Sequence, residues 1–529
     1  MSPITHLIIL AVSAAIFTVL KRFFSHKSLS DLPPGPKGWS LIGNLLDLCP
    51  DGQHSGRFYQ KHKSIYGPLS RLTIFGQPLI IVNDRETAAQ LFEKSAKHSS
   101  KPDSVFADEL CGYKASIPRQ DHDQNLRTHR RALARVIGTT SNAAKFNHQL
   151  EEEFCRLMWK ILHKPDELSD HCKNAAGSFA LRITYGYNVE PHKKDYLVEL
   201  AELVLAQFGE AITPGKFLVD LLPALKYLPS WVPGMSFKKR ARYNKECMAK
   251  LVDYPYEFTK WQMRHNNNEP SVVSACIQNG EDKDVIKWSA GAIYGAGVDT
   301  TVALLEAFFL AMMAHPNIQR KAQAEIDNVV GEDRFPTVAD RPNLPYIDAI
   351  LKETMRWHTV GLVIPRKSDE DEVIHGYLVP KGATVVVNIW AMNNDPEFYP
   401  EPNEFRPERF LPSDGHENIA PSSAENTFGF GRRVCPGRIT AETSLFLGIS
   451  NALFAFNIEK PVREDGSVVE PEISFTPDFI SRPVPFKCSL TPRSENHRGL
   501  ILNFEKGHPF PPSDADKLTV AVKTAAELR

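Results

Sequence analysis

Closely spaced cysteine pairs are missing from this chain. Its eight cysteines (Cys49, Cys111, Cys155, Cys172, Cys247, Cys276, Cys435 and Cys488) stand singly. That scatter suits neither a disulfide framework nor a zinc site, and they read as reduced thiols. Asn-x-Ser/Thr sequons are also missing, which fits a body facing the cytosol. No charge of one sign prevails: 62 basic residues face 63 acidic ones, for a formal net charge of -1. A surface built for polyanions is therefore excluded, and nucleic acid is not an expected partner. Repeats and low-complexity tracts are lacking, and proline and glycine are spread along the chain. One large domain is the simplest reading of its 529 residues.

What is present begins with an uncharged, mostly apolar run from Ile4 to Leu20, followed at once by Lys21, Arg22 and Lys27. At 1.5 Å per residue the run spans roughly 25 Å, near the short end of a membrane crossing. The basic flank places the following domain on the cytosolic side. A cleaved signal peptide is the rival, but its positive residues should precede the apolar stretch. Residues 1–30 are thus expected to be a single-pass anchor. Residues 31–40, containing Pro33, Pro34 and Pro36, are expected to be a stiff hinge, since proline fixes φ and removes donors.

The body reads as mainly α with a small β region. Helical spacing marks Arg85 to Lys97, Asn125 to Val136, Phe146 to Leu162, Ala175 to Tyr185, Ile286 to Ala314, Ile318 to Val330, Leu344 to His358 and Ile439 to Phe456. Pro78 to Val82 reads as a strand, and Gly376 to Ile389 as a hairpin turning at Pro380-Lys381-Gly382.

The densest chemistry lies in Phe428-Gly429-Phe430-Gly431-Arg432-Arg433-Val434-Cys435-Pro436-Gly437. Glycines permit tight turns and close approach to a flat ligand. Neighbouring cations and amides favour a thiolate over the usual thiol pKa of about 8.5. Gly429 and Gly431 lack the third glycine of a dinucleotide fingerprint. A second cluster occupies the apolar run 286–314, where Gly291, Gly295 and Gly297 each cost about 1 kcal/mol of helix propensity. A ligand approaching the backbone explains them. Asp299, Thr300 and Thr301 follow; the purely structural account of Thr300 is a bond back to the Ala296 carbonyl. Glu353 and Arg356 share a helix face, as do Glu153/Arg156 and Glu495/Arg498, where a solvated surface pair is the ordinary reading.

The cysteine segment matches F-x-x-G-x-R-x-C-x-G and resembles the cysteine loop of the cytochrome P-450 superfamily. Upstream, Pro407-Glu408-Arg409-Phe410 resembles that family's P-E-R-F element, Glu353-x-x-Arg356 its E-x-x-R pair, and Ala296 to Thr301 its oxygen-binding helix. Leu126-Arg127-Thr128-His129-Arg130 stands where the family carries W-R-x-x-R, with leucine replacing tryptophan. The order is the family's, and the resemblance covers roughly residues 32–493. It implies a cytochrome P-450 fold: one haem-thiolate catalytic domain over residues 41–494, with 495–529 left as a C-terminal tail. The implied cofactor is haem b, with Cys435 as metal ligand and Arg130, Arg366, Arg433, Phe428 and Gly437 in contact with it. Thr300 and Asp299 would be catalytic, assisting oxygen activation and proton relay, and Glu353, Arg356 and Arg409 would form a structural network. Matching to the family's substrate-facing stretches adds Phe106, Ala292, Ala296, Val363, Ile364 and Phe479.

The implied reaction is a monooxygenation, inserting oxygen from O2 into a lipophilic small molecule. No flavin or iron–sulfur segment follows the haem region, so an NADPH-dependent cytochrome P-450 reductase is the expected electron donor, docking near Arg432 and Arg438. Leu218 through Gly234 look like the fungal enzymes of secondary metabolism, which suggests a terpenoid or polyketide substrate and an endoplasmic reticulum location. An isomerase, dehydratase or peroxide-using enzyme of the same fold, or a non-catalytic haem sensor, are the alternatives. Asp299 and Thr300 favour oxygen activation over them.

Overall fold

The structure is a computed structural model and describes residues 31–412 and 420–527. The expected anchor at Ile4 to Leu20 lies outside the described residues. Helices dominate, and the largest hydrophobic cluster gathers around one of them, Lys283–Ala314. Asp282 starts that helix, its carboxylate accepting from the Asp284 and Val285 amides at 3.0 Å each. Such a cap satisfies donors that have no intrahelical partner. Pro316, which cannot follow a helical residue without strain, begins the next helix, Pro316–Val329. Lys283–Ala314 is apolar nearly all round because its neighbours cover it nearly all round. It is also long and apolar enough to cross a membrane, but the span is 83% buried inside the protein. We call it the central helix.

The other expected helices form close to their expected bounds: Gln124–Ile137, Asn147–His163, Leu168–Tyr185, Pro345–Trp357 and Arg438–Ala455. The expected Arg85 to Lys97 helix stops at Phe92. Three further helices, Ser55–Tyr66, Tyr196–Ile212 and Phe237–Arg264, had no sequence expectation. The last contains Pro255, whose ring usually marks a helix boundary.

The expected hairpin is corrected. Thr384–Asn388 does not pair with Tyr377–Val379 but lies inside a four-stranded sheet, parallel to Gln77–Val82 and antiparallel to Val363–Lys367. Tyr377–Val379 pairs instead with Glu372–Ile374. The turn between them is made by His375 and Gly376, with φ of 51° and 80°. Two successive left-handed residues match the twist of a two-residue hairpin, whereas Pro380-Lys381-Gly382 carries the chain from one sheet to another.

The hinge is docked rather than free. Arg71 holds it to the edge of the large sheet, its Nε donating to the Pro33 carbonyl at 2.7 Å and its amide to the Pro34 carbonyl at 2.9 Å. At the other end, residues 495–527 form two helices, Glu495–Gly507 and Ala515–Glu527, with Ile501 and Leu518 in the core.

Candidate haem-thiolate site

The cysteine loop is closed by the Cys435 amide donating to the Phe428 carbonyl at 2.8 Å. Gly431 sits at φ +58°, and a Cβ there would stand 1.8 Å from the Phe92 carbonyl oxygen. No side chain fits that turn. Arg130 fastens the loop from the 124–137 helix, its Nη2 donating to the Val434 carbonyl at 2.9 Å. Cys435 is an exposed residue by virtue of a cavity of about 310 Å³, which it lines. Burial pushes its thiol pKa up, while the Gly437 amide and the Arg130 guanidinium pull it down, and burial prevails. The expected pull of amides and cations toward the thiolate is present in the Gly437 amide and Arg130, and burial outweighs it. A coordinating metal deprotonates a thiol outright.

Most of the residues lining the cavity are apolar, Ala292, Ile293 and Ala296 of the central helix among them. Four basic residues also line it, Lys101, Arg130, Arg366 and Arg433, near enough to act on one another's charges, and among the described residues no carboxylate does. Arg433 is tied to backbone, its Nε donating to the Ser99 carbonyl at 2.7 Å and Nη1 to that of Ile117 at 3.3 Å. Lys101 donates to the Pro365 carbonyl at 3.3 Å. Arg366 is 6% exposed, and while its backbone pairs within the sheet, its side chain makes no hydrogen bond or ion pair among the described residues. Burial, then repulsion from Arg433 and Arg130, holds its pKa down to about 9, and Arg433 is lowered to about 10. Buried cations without counter-ions call for an anionic ligand. A flat macrocycle with two carboxylates and an iron opposite a thiol meets that demand, so the residues fit haem. Sequence reading missed Lys101, which stands alone in a loop with no periodicity to mark it.

The Glu353, Arg356 and Arg409 network is present. Arg356 donates to both oxygens of Glu353 at 2.7 and 2.8 Å, and Arg409 reaches Glu353 at 3.2 Å. The arginines also donate to the carbonyls of Pro402 at 2.8 Å and Pro400 at 2.9 Å. Satisfaction of this kind lets charges stay buried. The segment it braces leads to the cysteine loop. Glu153 and Arg156 correct the solvated-pair reading: they meet at 2.6 Å with 6% exposure each. Glu495 and Arg498 are a solvated pair, 3.6 Å apart.

On the central helix, Thr300 and Thr301 line the cavity, and each hydroxyl donates back to a carbonyl, Ala296 and Gly297 respectively, at 2.9 Å. Gly297 opens on the cavity, as a close-approaching ligand needs. Gly291 and Gly295 do not: they receive Val252 and Leu251 of the 237–264 helix, so close helix packing explains them. Asp299 is absent from the cavity wall. Its carboxylate meets Arg482 at 2.5 Å, and burial pushes its pKa up despite that cation.

Among the remaining expected pocket residues, Ala292 and Ala296 line the cavity. Phe106 is fully buried and stacks on Phe217, with centroids 3.5 Å apart. Val363 and Ile364 belong to the sheet, Ile364 lying 3.7 Å from where a Cβ on Gly429 would be. Phe479 is partly exposed and packs on Phe208.

A thiol facing a haem-sized cavity, a cationic cradle and a buried Glu–Arg–Arg brace define a haem-thiolate protein. The cytochrome P450 family model matches residues 33–489. The chain belongs to this family. It is 42% identical to a cytochrome P450 monooxygenase (ppsD) of Aspergillus oryzae, over 93% of this chain and 94% of the relative. It is 41% identical to another (claR) of Ampulloclitocybe clavipes, over 92% and 91%. The O-methylsterigmatocystin oxidoreductase of Aspergillus flavus shares 36% identity over 92% and 93%. The protein is accordingly a haem-dependent monooxygenase that inserts oxygen from O2 into a lipophilic small molecule.

Proposed function

We propose that Cys435 ligates the haem iron and that Lys101, Arg130, Arg366 and Arg433 hold the propionates. The observation that carries this reading is that Cys435 lines a cavity whose only charged lining residues, among the described residues, are those four. When bound, haem supplies oxygen activation and accepts electrons one at a time, with thiolate donation favouring O–O cleavage. The chain's own part is positional. Thr300 presents a hydroxyl at the cavity wall, Asp299 brings protons to it, and the apolar lining excludes water around a lipophilic substrate. A fungal secondary metabolite of terpenoid or polyketide type is the proposed substrate class, supported by the likeness to the Aspergillus and Ampulloclitocybe enzymes.

Electrons come from an NADPH-dependent reductase. Arg127 and Arg131 of the 124–137 helix and Arg432 of the cysteine loop are exposed beside the Cys435 loop and suit an acidic partner. Arg438 is engaged by Glu442 at 2.8 Å. Residues 1–30 anchor the enzyme in the endoplasmic reticulum membrane with residues 41–494 in the cytosol. Exposed Trp39, Leu41 and Leu46, and on the 218–231 segment Leu218, Tyr227 and Trp231, support contact with a lipid surface.

The test is the carbon monoxide spectrum of the reduced protein, followed by reaction with reductase, NADPH and a panel of terpenoid and polyketide precursors. A red-shifted thiolate-type Soret band, lost in Cys435→Ser, is expected with NADPH-dependent oxygenated product. A band that persists in the serine variant overturns the ligand assignment.

A further inference from the structure

The chain as a whole is close to neutral, but one stretch of it is not. Residues 237–250 hold six basic residues (Lys238, Lys239, Arg240, Arg242, Lys245 and Lys250) and one acid, Glu246. All stand on the 237–264 helix, where the structure separates engaged cations from free ones. Lys238 is turned inward, its Nζ donating to the Lys226 carbonyl at 2.7 Å and to the Leu228 carbonyl. Arg240 pairs with Glu210 at 2.8 Å, and nearby Lys226 pairs with Glu109 at 2.6 Å. Lys239, Arg242 and Lys245 are exposed, and their side chains make no hydrogen bond or ion pair among the described residues. Successive members are three residues apart, so each is a neighbour of the next along the helix surface. They form a strip of charge that the protein itself does not neutralise.

This strip borders exposed apolar surface. Lys238 binds the backbone on both sides of Tyr227 and so holds that residue beside the first turn of the helix. Tyr227 is 74% exposed, and Trp231, in the connection between the two, is 64% exposed. The segment runs back through exposed Leu218 to a junction with the start of the body. There Lys216 pairs with Asp51, and a Cβ on Gly215 would lie 3.7 Å from Leu48. Exposed Trp39, Leu41 and Leu46 precede that junction in the chain. Apolar residues thus connect to the unneutralised strip through named contacts. Tyrosine and tryptophan suit the boundary between lipid headgroups and acyl chains, and long cationic side chains can lie along apolar surface while their charges reach outward.

We propose that Lys239, Arg242 and Lys245 make this face selective for an anionic phospholipid bilayer. The inference rests on the reading above that residues 39–46 and 218–231 meet lipid. A neutral bilayer would accept the aromatic residues but leave the three charges without partners. An acidic protein would match the charges but not the junction with residues 39–51, which lead directly from the basic-flanked apolar run at the start of the chain. Anionic headgroups answer both features, with an attraction that salt screens over a Debye length of about 10 Å at 0.1 M. The apolar residues decide whether the body touches a membrane, and the cations decide which membrane it prefers.

The test uses full-length, haem-loaded protein in vesicles of phosphatidylcholine alone and of phosphatidylcholine mixed equally with phosphatidylserine, with detergent-dispersed protein as the reference. Amide hydrogen exchange is followed across residues 222–236, which carry Tyr227 and Trp231. Exchange in the serine-lipid vesicles is expected to be about tenfold slower than in phosphatidylcholine alone, with the difference lost in high salt. The combined variant Lys239→Gln, Arg242→Gln and Lys245→Gln should lose that difference while keeping the phosphatidylcholine value and the carbon monoxide band. Equal exchange of wild type in both vesicles, slower than in detergent, overturns the charge selectivity and leaves the lipid contact standing. Exchange as fast in both vesicles as in detergent shows that this face does not meet lipid, and the inference fails with that reading. A variant that keeps the full serine-lipid difference overturns the assignment to these three residues. If it does so while losing reductase-supported NADPH oxidation, the cations serve an acidic protein instead.

Discussion

At the scale of single residues, Thr300 and Glu353 show two kinds of dependence on place. The Thr300 hydroxyl is bonded to its own helix at rest, so its removal leaves the helix intact and only the cavity wall changed. Thr300→Ala is expected to keep haem but divert reducing equivalents, and peroxide released per NADPH is the measurement. An unchanged ratio of product to NADPH removes the residue from its role. Glu353 is fully buried between two arginines, and Glu353→Gln leaves positive charge uncompensated. A loss of about 3–5 kcal/mol follows. It should appear as an enzyme that folds poorly and binds little haem, measured by haem content per chain. The i, i+3 spacing made this pair legible, but the same spacing misled at Glu153 and Arg156. Spacing tells which side chains meet and says nothing of what covers them. There the cover is Phe510, whose ring lies 5.8 Å from the Arg156 guanidinium and is brought in by the far end of the chain.

Among the elements, the central helix was legible because an apolar run broken by glycines and two threonines is costly unless something approaches it. Its three glycines nevertheless divide between two duties that the sequence does not distinguish. Gly291→Ala would press a methyl against Val252 at 2.7 Å, and Gly297→Ala would meet nothing within 4 Å. The first is expected to destabilise by about 1–3 kcal/mol, lowering the thermal midpoint. The second should raise the midpoint slightly, since alanine recovers about 1 kcal/mol of helix propensity, and alter substrate-induced spectral shifts. Equal midpoints for both variants would show that helix packing there is loose. The hairpin error has a similar origin. Local alternation marked Tyr377–Val379 and Thr384–Asn388 as strands, but partner choice depends on Gln77–Val82, far away in sequence.

On the scale of the whole molecule, the C-terminal segment is part of the fold. Asp514 is buried and accepts from the Asn188 amide at 3.0 Å and its side chain at 3.2 Å, fastening the segment to the loop before the 196–212 helix. Asp514→Ala should lower the thermal midpoint by several degrees without changing the haem spectrum. Nothing in its local pattern announced this, because two short amphipathic helices look alike whether docked or free. Acid sensitivity is also a property of the whole. His358 is enclosed, and burial holds its pKa down to about 3, against about 6.5 when unfolded. Between those values the unfolded chain binds more protons, so stability rises with pH across the window and is lost as pH falls. Midpoints measured through that window should climb with pH, less steeply in His358→Asn.

The cationic cradle carries a consequence for the living cell. Basic groups crowded around one cavity repel each other, so under the proposed assignment a prosthetic group that brings carboxylates would stabilise the chain as it binds. Newly made copies that meet no haem are the ones quality control would clear first. The steady amount of enzyme should therefore track haem synthesis more closely than it tracks messenger level.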